Sequence, residues 1–538
     1  MKHYLEYYKE ITFQNWTRPA LSDYKGQDFT YSEVTTEILR FHSIFEAIGI
    51  QKGDRIALCG KNSARWAMTF LSAETFGAVA VPILYNFTPE SVAKLTDHSG
   101  SSILFTDSRV LSGFDPSKID SLQAVISLDD YSCLWSAAPE IAQDIAFASS
   151  EYDSLHPAGA RPEDFNLEPA PLDSLAIINY TSGTTGEPKG VMLSHRNLSA
   201  NIEFALGQVP VHTGDTTLAM LPMAHMFGLV FEFFYPLCGG GHVYFLGKAP
   251  SPTTLMAAFA EVRPYLFVTV PLVMEKIIKG KVMPTLEKPS MKILTAIPGV
   301  RCIVYGQIRK KMMAFLGGNI QCIPMGGAAL SPDVEKILHR ARLPYTVGYG
   351  MTECCPLMGY SPWDKYRQGS CGRELGKYGQ VRIDSPDPEH IPGEVQARGD
   401  NVMMGYYRNE EATRAAFTDD GWMRSGDLGT MGKDGSIYLR GRLKCMILSA
   451  NGQNIYPEEI EAVVNSLPEV EESLVVSRKD RLTALVSLKK DADSDVLMSR
   501  LDEVNRHLPS YSKIVRFEVM TEPFVHTPKQ SIKRALYA

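Results

Sequence analysis

The sequence lacks the Cys-x-x-Cys pairs of common metal sites, and it has no long uncharged apolar run. Its nine cysteines are scattered, with only Cys354 and Cys355 adjacent, so we expect reduced, packed thiols and no disulfide framework or metal-thiolate centre. The most apolar stretch, 228–247, contains Glu232 and a glycine triplet, and falls short of the roughly 20 apolar residues of a membrane span. It predicts a buried helix, a turn and a strand.

Neither sign of charge dominates the chain. Its 54 basic and 61 acidic residues give a formal charge of −7, which offers no broad positive surface for nucleic acid or an anionic membrane. The N-terminal residues show neither the basic start nor the apolar stretch of a secretory signal. We therefore predict a cytoplasmic protein that acts on a small molecule, with no nucleic-acid partner and no membrane span. Peripheral contact with a membrane stays open.

The organisation of the chain changes twice. From about residue 30 to 350, short apolar runs alternate with amphipathic stretches, which predicts a doubly wound α/β arrangement. Residues from about 376 to 440 predict short strands with Gly-rich turns, typical of a small barrel or an antiparallel sheet. We predict an α/β protein with an N-terminal domain over 1–443, which includes this β-barrel-like part, and a small mobile C-terminal α+β domain over 444–538.

The segment YTSGTTGEPKG, residues 180–190, has the composition of a phosphate-binding loop. Glycines permit close backbone approach, and hydroxyls donate hydrogen bonds without adding charge. The spacing differs from that of a Walker loop, and the following GVMLSH is strand-like, so we expect a loop between two strands. A merely flexible surface loop is the alternative. The candidate phosphate ligands are Thr181, Ser182, Gly183, Thr184, Thr185, Gly186 and Lys189.

This segment closely resembles the phosphate-loop signature of the acyl-adenylate-forming (AMP-binding) superfamily, which includes acyl-CoA synthetases, luciferases and the adenylation domains of peptide synthetases. Later segments are similar to the family's other motifs, in the family's order: LPMAHMFG, MGGAALS, GYGMTE, GWMRSGDLG, GRLKCMI and NIYPEEIE. An isolated match would be weak, whereas a full ordered series is specific. The closest resemblance is to bacterial long-chain fatty acid CoA ligases. It implies ATP and Mg²⁺, with coenzyme A as co-substrate.

The resemblance also implies roles for nucleotide-binding residues. Tyr349 would stack on adenine beside Gly350, and Gly326, Gly327 and Ala328 would lie along the adenine. Thr352 would meet the α-phosphate, and Glu353 and Thr184 would hold the metal. Asp427 and Arg442 would bind the ribose, or for Arg442 also a phosphate. From residue chemistry alone, Glu353 offers the hard oxygen that Mg²⁺ prefers, but a charged helix start, an Asp turn and a solvated arginine are ordinary alternatives for Glu353, Asp427 and Arg442.

The acyl side is indicated by His225 and the apolar segment after it. A histidine there is often a core residue, whereas the resemblance places it beside the substrate carboxylate. Several apolar residues are candidates to line a hydrocarbon tunnel, although such a stripe is also typical of core: Met226, Phe227, Val230, Phe231 and Phe234. The segment has no Asp to pair with an amino group, which disfavours an amino acid substrate.

The C-terminus departs from the family pattern. The family places a lysine three residues before an arginine, where its ammonium neutralises charge in the adenylation step. Counting back from Arg534 gives Ser531. Lys529 and Lys533 flank that position at roughly 6 to 7 Å along an extended chain, so we predict Lys529, then Lys533, as the substitute. A slow or inactive adenylation step stays open. Cys445, where relatives carry an acidic residue, has no physical explanation.

Together these motifs predict a two-step ligase. A fatty acid carboxylate would attack the α-phosphorus of ATP, and the C-terminal domain would then rotate about Lys444 so that coenzyme A thiolate attacks the acyl-adenylate. The alternatives are an acyl carrier protein as acceptor or release of acyl-AMP alone, a non-catalytic AMP or acyl-CoA binding protein, and a kinase-like phosphotransferase. Acyl chain length and oligomeric state do not follow from the sequence.

Overall fold

The computed structural model describes residues 1–182, 188–247, 251–448, 454–478, 481–490, 492–506, 508–509, 512–526 and 532–537. Several predicted residues lie outside the described residues: Gly183, Thr184, Thr185, Gly186, Lys529 and Ser531.

Short buried strands and capped helices alternate in residues 1–182. Side chains of Thr30, Ser63, Thr88 and Asp107 each accept a hydrogen bond from the first turn of a helix and so fix where it begins. The strands are β1 (Pro19–Asp23), β2 (Asp28–Thr30), β3 (Arg55–Leu58), β4 (Val79–Pro82), β5 (Ser101–Thr106), β6 (Ala124–Ser127), β7 (Cys133–Ser136) and β8 (Leu175–Ser182). The helices are α1 (Tyr4–Gln14), α2 (Tyr31–Ala47), α3 (Ala64–Phe76), α4 (Pro89–Ser99), α5 (Ser108–Leu111) and α6 (Pro139–Leu155).

The middle of the chain, from 188 to 347, is richer in helices. Its strands are β9 (Pro188–Ser194), β10 (Thr216–Ala219), β11 (His242–Phe245), β12 (Ile323–Met325) and β13 (Tyr345–Val347). Its helices are α7 (His195–Gln208), α8 (Met226–Gly228), α9 (Tyr235–Cys238), α10 (Pro252–Val262), α11 (Pro271–Ile277), α12 (Met283–Leu286), α13 (Pro289–Ala296), α14 (Pro298–Phe315) and α15 (Pro332–Arg340), with π-helical turns at Leu229–Phe234 and Ile278–Val282.

Residues 349–442 are mostly β-structure, and a smaller α+β unit follows. The strands are β14 (Tyr349–Gly350), β15 (Leu357–Gly359), β16 (Gly379–Asp384), β17 (Gly393–Gly399), β18 (Gly405–Tyr406), β19 (Met423–Met431) and β20 (Ile437–Arg442), with one helix, α16 (Glu410–Ala415). The C-terminal unit has β21 (Ile447–Leu448), β22 (Asn454–Ile455), β23 (Val470–Arg478), β24 (Arg481–Leu488) and β25 (Arg516–Val519), with α17 (Pro457–Val464), α18 (Ser494–Ser499) and α19 (Leu501–Arg506).

The largest sheet has eight strands in the order β18-β9-β8-β4-β3-β5-β6-β7. Its centre, from β8 to β6, is parallel, and β7, β9 and β18 are antiparallel additions at the edges. Alternate residues of the central strands enter different cores: Ile56 and Leu58 of β3 belong to the main core, whereas Ala57 belongs to a second core on the other face. Both faces of the sheet are therefore covered, as predicted for a doubly wound fold. A second sheet has the order β10-β11-β1-β2.

The predicted β-barrel-like part is an open antiparallel sheet in the order β16-β17-β19-β20, and these fully described strands do not close into a barrel. β18 is the reason for the difference. Instead of continuing this sheet it pairs with β9 at the edge of the large sheet. The C-terminal unit has its own core around β23, β24 and α17. Within the described ranges, no helix combines the length and the apolar content that crossing a bilayer requires.

Candidate active site

The predicted phosphate loop is flanked by an antiparallel pair of strands, as the sequence indicated. Thr181 on β8 is opposite Lys189 on β9, and the backbone of Ser182 is opposite Pro188. β8 is anchored on both sides: the Tyr180 hydroxyl lies 2.7 Å from Nδ1 of His98, and the Asn179 amide donates to the carbonyl of Ala224 at 2.9 Å. The second bond ties the loop's strand to the segment that carries His225.

Glu353 is held beside the strand that leaves the loop. Thr352 and Glu353 are buried in a short 3₁₀ turn, Thr352–Cys354. The Tyr406 hydroxyl donates to Oε1 of Glu353 at 2.9 Å, and the backbone of Tyr406 pairs with Val191 on β9. The ammonium of Lys189 lies 5.0 Å from the centre of the Tyr406 ring. Tyr406 therefore joins two predicted ligands, Lys189 and Glu353, that are far apart in the sequence.

The predicted adenine-binding segments meet at the carboxyl ends of two parallel strands. β12 ends just before Gly326 and β13 just before the GYG segment, and the amide of Gly348 donates to the Met325 carbonyl at 2.8 Å. Close contacts leave little room here for a side chain on Gly350 or Gly326. A Cβ on Gly350 would lie 2.0 Å from the Pro356 carbonyl oxygen, and one on Gly326 would lie 3.1 Å from Cζ of Phe227. Gly327 has φ +85°, which a glycine adopts without strain, and Ala328 follows it.

Tyr349, Asp427 and Arg442 form one hydrogen-bonded group. The Tyr349 hydroxyl donates to Oδ2 of Asp427 at 2.6 Å, and Nε of Arg442 lies 2.8 Å from Oδ1. The register of β19 and β20 places Asp427 directly opposite Arg442. Burial raises the pKa of Asp427, and the Arg442 charge and the Tyr349 hydrogen bond offset part of that rise. The result is a buried carboxylate whose position is fixed by a donor on each oxygen.

His225 begins the short helix α8. Its Nδ1 accepts the amide hydrogen of Phe227 at 3.4 Å, so the side chain caps the helix. The preceding residues are held by Glu232, whose Oε2 accepts from the amides of Met220 at 3.0 Å and Leu221 at 2.7 Å. Burial raises the pKa of Glu232 well above its ordinary value. This carboxyl, which lies in the π-helical turn, thereby orients the segment that leads into His225.

The five apolar residues predicted to line a tunnel divide into two groups. Phe227 is partly exposed and packs edge to face on Phe231, with ring centres 5.8 Å apart, and it borders Gly326. Phe234 instead packs on Tyr4 and Phe70 in the main core. Met226 and Val230 are fully buried in the same core. Phe227 is therefore the residue of this set that borders the adenine-binding segments, and Phe231, which is buried, packs against it.

Lys533 is the C-terminal candidate that the structure describes. Lys533 is exposed, and its amide donates to the Val525 carbonyl at 2.8 Å. Among the described residues, no hydrogen bond or ion pair joins Lys533 to Tyr349, Thr352 or Asp427. Arg534 lies 2.7 Å from Glu461 and 3.9 Å from Glu458 of α17, so it ties the tail to the C-terminal unit. Lys444 lies in the 3₁₀ turn Leu443–Cys445, directly after β20.

From the sequence, we did not identify Tyr406 as a neighbour of Glu353, nor Glu232 as a residue that holds the segment before His225. Tyr406 reaches Glu353 through the pairing of β18 with β9, which joins residues more than 200 positions apart and leaves no local periodicity. For Glu232 there is a signal, a lone carboxyl in an otherwise apolar segment. Because a buried carboxyl requires hydrogen-bond partners, such a residue predicts a backbone contact.

Comparisons with known proteins agree with this arrangement. A sequence model described as AMP-binding enzyme matches residues 11–407, and one described as AMP-binding enzyme C-terminal domain matches 445–538. A long-chain-fatty-acid–CoA ligase of Rattus norvegicus is 26% identical over 98% of this chain and 84% of its own. A 4-coumarate–CoA ligase of Oryza sativa is 27% identical over 87% of this chain and 79% of its own.

Solved structures show the same fold over the whole chain. ATP-bound MatB of Rhodopseudomonas palustris superposes with a TM-score of 0.77 at 24% identity, covering 98% of this chain and 97% of that one. The O-succinylbenzoate coenzyme A synthetase of Bacillus subtilis in complex with AMP gives 0.77 at 22% identity, covering 99% and 97%. The similarity includes both the large N-terminal part and the small C-terminal part.

Proposed function

Because the chain belongs to the AMP-binding enzyme family, whose members similar to it include acyl- and aryl-CoA ligases, we propose that it is an ATP-dependent fatty acyl-CoA ligase. It would convert a long-chain fatty acid, ATP and coenzyme A into an acyl-CoA thioester, AMP and pyrophosphate. The observation that supports this most is the group formed by Tyr349, Asp427 and Arg442. A fixed, buried carboxylate beside an aromatic ring suits a ribose diol and its base.

In the first step, a carboxylate oxygen of the fatty acid attacks the α-phosphorus of ATP, and the bond from that phosphorus to the bridging oxygen of pyrophosphate breaks. We assign Thr181, Ser182, Gly183, Thr184, Thr185, Gly186 and Lys189 to the phosphates, with Thr352 at the α-phosphate. Asp427 and Arg442 hold the ribose, and Tyr349, Gly350, Gly326, Gly327 and Ala328 surround the adenine. His225 lies beside the substrate carboxylate, and Lys529 or Lys533 supplies positive charge from the C-terminal domain.

The donor set suits Mg²⁺. Tyr406, whose backbone pairs with β9, donates to Oε1 of Glu353 and so holds this carboxylate beside the strand that leaves the phosphate loop. Mg²⁺ binds through one or two carboxylates together with substrate phosphates and waters, so Glu353, with Thr184, would hold it. When bound, the ion neutralises charge on the phosphates.

In the second step, coenzyme A thiolate attacks the acyl carbonyl carbon, the bond from that carbon to the AMP oxygen breaks, and AMP leaves. We propose that the C-terminal domain, 444–538, rotates about Lys444 between the steps, so that the segment containing Tyr456 and Pro457 lines the thiol's approach. An acyl carrier protein as acceptor remains an outcome of the test.

The fatty acid assignment is supported by the partly exposed Phe227 ring, which offers apolar surface next to Gly326 and packs on the buried Phe231. A second candidate is an aryl-CoA ligase, favoured by the 4-coumarate–CoA ligase relative. The two candidates share the nucleotide chemistry and differ only in the acid.

The test is a substrate panel of acetate, octanoate, palmitate, a cinnamate-type acid and an amino acid. Release of AMP and of ADP is followed with and without coenzyme A. We expect palmitate to give the highest kcat/KM, with AMP as the product and a thioester formed on free coenzyme A. A cinnamate-type optimum would instead establish the aryl-CoA ligase, and ADP as product would contradict both.

A matched pair of variants connects the activity to the site. Asp427→Asn is expected to raise the KM for ATP by about tenfold or more, since it removes one charged partner of the ribose. Asp420→Asn removes an exposed carboxylate that pairs with Arg382, and we expect it to leave the KM unchanged. If the two variants have equal KM values for ATP, Asp427 does not belong to the nucleotide site.

A further inference from the structure

Residues 283–303, which form α12, α13 and the start of α14, expose large apolar side chains on the surface. In α12 and α13 no residue is buried, and Ile293, Leu294, Ile297 and Ile303 are 67%, 39%, 50% and 66% exposed. Single exposed apolar residues are ordinary on a protein surface, but four large ones within one short segment are not. All of these residues are described. We call this segment, with its flanking lysines, the 288–311 surface.

The exposed face of α14 has an ordered pattern. Its exposed positions include Gly299, Ile303, Gly306 and Lys310, which are spaced three or four apart and so lie on one side of the helix. The first two turns of that side carry no charge, and the lysines begin at its end. α13 packs against α14, and Ile297 joins the two helices. The arrangement is an apolar centre with a basic border.

The charge of this region is opposite to that of the rest of the chain. Residues 275–311 contain nine lysines and arginines and two glutamates, whereas the whole chain has 54 basic and 61 acidic residues. The remainder therefore carries 45 basic and 59 acidic residues. Within the described ranges, Lys279 is the one of these nine cations with a carboxylate inside 4.0 Å, at Glu275. The lysines of this region are exposed, and Lys288 and Lys292 precede the exposed isoleucines in the sequence.

We propose that the 288–311 surface docks the protein on an anionic phospholipid bilayer. Apolar side chains that enter the boundary between head groups and acyl chains, with lysines beside them to pair with anionic head groups, are the features of an interfacial helix. The acidic remainder of the chain is repelled by the same bilayer, so only this face is turned toward it. A second copy of the chain fits poorly, since a symmetric contact would bring two strongly basic surfaces together.

The test is co-sedimentation of the full-length protein with vesicles of phosphatidylcholine alone and of phosphatidylcholine mixed with phosphatidylglycerol. We expect binding to the mixed vesicles, weakened by salt because the lysine contribution is screened. Ile293→Gln with Ile303→Gln, and separately Lys288→Glu with Lys292→Glu, are each expected to lower the partition coefficient at least about tenfold.

Two matched controls use exposed residues elsewhere: Leu155→Gln with Ile391→Gln, and Lys94→Glu with Lys118→Glu. All variants are compared by thermal melting and size exclusion, and the controls are expected to partition like the unaltered protein. Equal losses in variants and controls, or failure of the unaltered protein to bind mixed vesicles, would overturn the proposal. So would a dimer that Ile293→Gln with Ile303→Gln converts to monomer while vesicle binding persists, because the surface would then join two copies. None of these outcomes depends on which acid the enzyme uses.

Discussion

At the scale of single residues, the Tyr406 hydroxyl sets the orientation of Glu353. Tyr406→Phe removes the hydrogen bond to Oε1 and frees the carboxylate to rotate. We predict that the Mg²⁺ concentration for half-maximal adenylation rises about three- to tenfold, because outer partners of a metal ligand tune its affinity. The measurement is an Mg²⁺ titration of AMP release.

The control for this variant is the next residue. The Tyr407 hydroxyl donates to the Ser99 carbonyl at 3.3 Å and does not contact Glu353 in the structure. Tyr407→Phe should leave the Mg²⁺ dependence unchanged. If both variants shift it equally, Glu353 is not positioned by Tyr406.

Gly350 is required by the close approach of the backbone around it. A Cβ there would lie 2.0 Å from the Pro356 carbonyl oxygen. Because this oxygen belongs to the backbone, rotation of a side chain does not relieve the clash. We predict that Gly350→Ala lowers the free energy of unfolding by about 3 kcal/mol. Gly207→Ala, in α7 with open space around its Cβ, should be neutral or stabilise by up to about 1 kcal/mol. Urea unfolding measures both, and equal effects would refute the steric explanation.

At the scale of secondary structure elements, three helices meet at one buried carboxyl. Tyr4 of α1 donates to Glu74 of α3, and its hydroxyl lies 2.8 Å from Nδ1 of His195 in α7. Burial raises the pKa of Glu74 to about 8 and lowers the pKa of His195 to about 3. At neutral pH the carboxyl is therefore protonated and the imidazole is uncharged, so α1 is joined to the core through neutral groups.

This contact predicts a pH dependence of stability. Between the ordinary value of 4.5 and the folded value of about 8, the folded state keeps the Glu74 proton and the unfolded state does not, so raising the pH destabilises the fold. The loss of stability is about 1.4 kcal/mol for each pH unit between the two pKa values, and it grows no further above the folded pKa. The Glu74→Gln variant has no titratable group at this position, so it does not lose stability in this way as the pH rises. Its stability relative to the unaltered protein should rise from pH 5 to pH 9 in chemical unfolding, and a constant difference would contradict the assignment.

Arg534, near the end of the chain, contacts both α17 and β23. Arg534 lies 2.7 Å from the buried carboxylate of Glu461 and donates to the Val475 carbonyl at 3.1 Å. We predict that Arg534→Met destabilises the C-terminal unit by about 2 kcal/mol, since Glu461 loses its charged partner and keeps only the Val475 amide. Arg516→Met breaks an exposed pair with Glu518 at 3.4 Å and should cost under about 0.5 kcal/mol. Hydrogen exchange in α17 distinguishes the two, and equal protection would exclude the ion pair as the cause.

At the scale of the whole molecule, local pattern predicted much of the architecture. The alternation of apolar runs and amphipathic segments predicted the doubly wound region, because a strand buried on both faces contains a short apolar run, as β4 does throughout and β5 does at its centre. The strand content of residues 379–442 was equally predictable. Its arrangement was not, since β18 leaves that sheet to pair with β9.

The site shows the same difference between local signals, which could be predicted, and long-range contacts, which could not. The ordered series of motifs identified Tyr349, Glu353, Asp427 and Arg442. The resemblance to the family implies that all four bind one nucleotide. Tyr406 and the contact of Tyr4 with Glu74 depend on residues far apart in the chain, for which a single sequence has no periodic signal. The position of Lys533, exposed on the C-terminal unit, likewise depends on how that unit is oriented.

Transfer of a labelled oxygen tests whether the chain forms an acyl-adenylate. A fatty acid carrying ¹⁸O in both carboxylate oxygens is incubated with the enzyme, ATP, Mg²⁺ and coenzyme A, and the AMP is examined by mass spectrometry. Attack of the carboxylate on the α-phosphorus predicts AMP with one ¹⁸O atom for each thioester formed. Unlabelled AMP, or ADP as the nucleotide product, would contradict the proposed function.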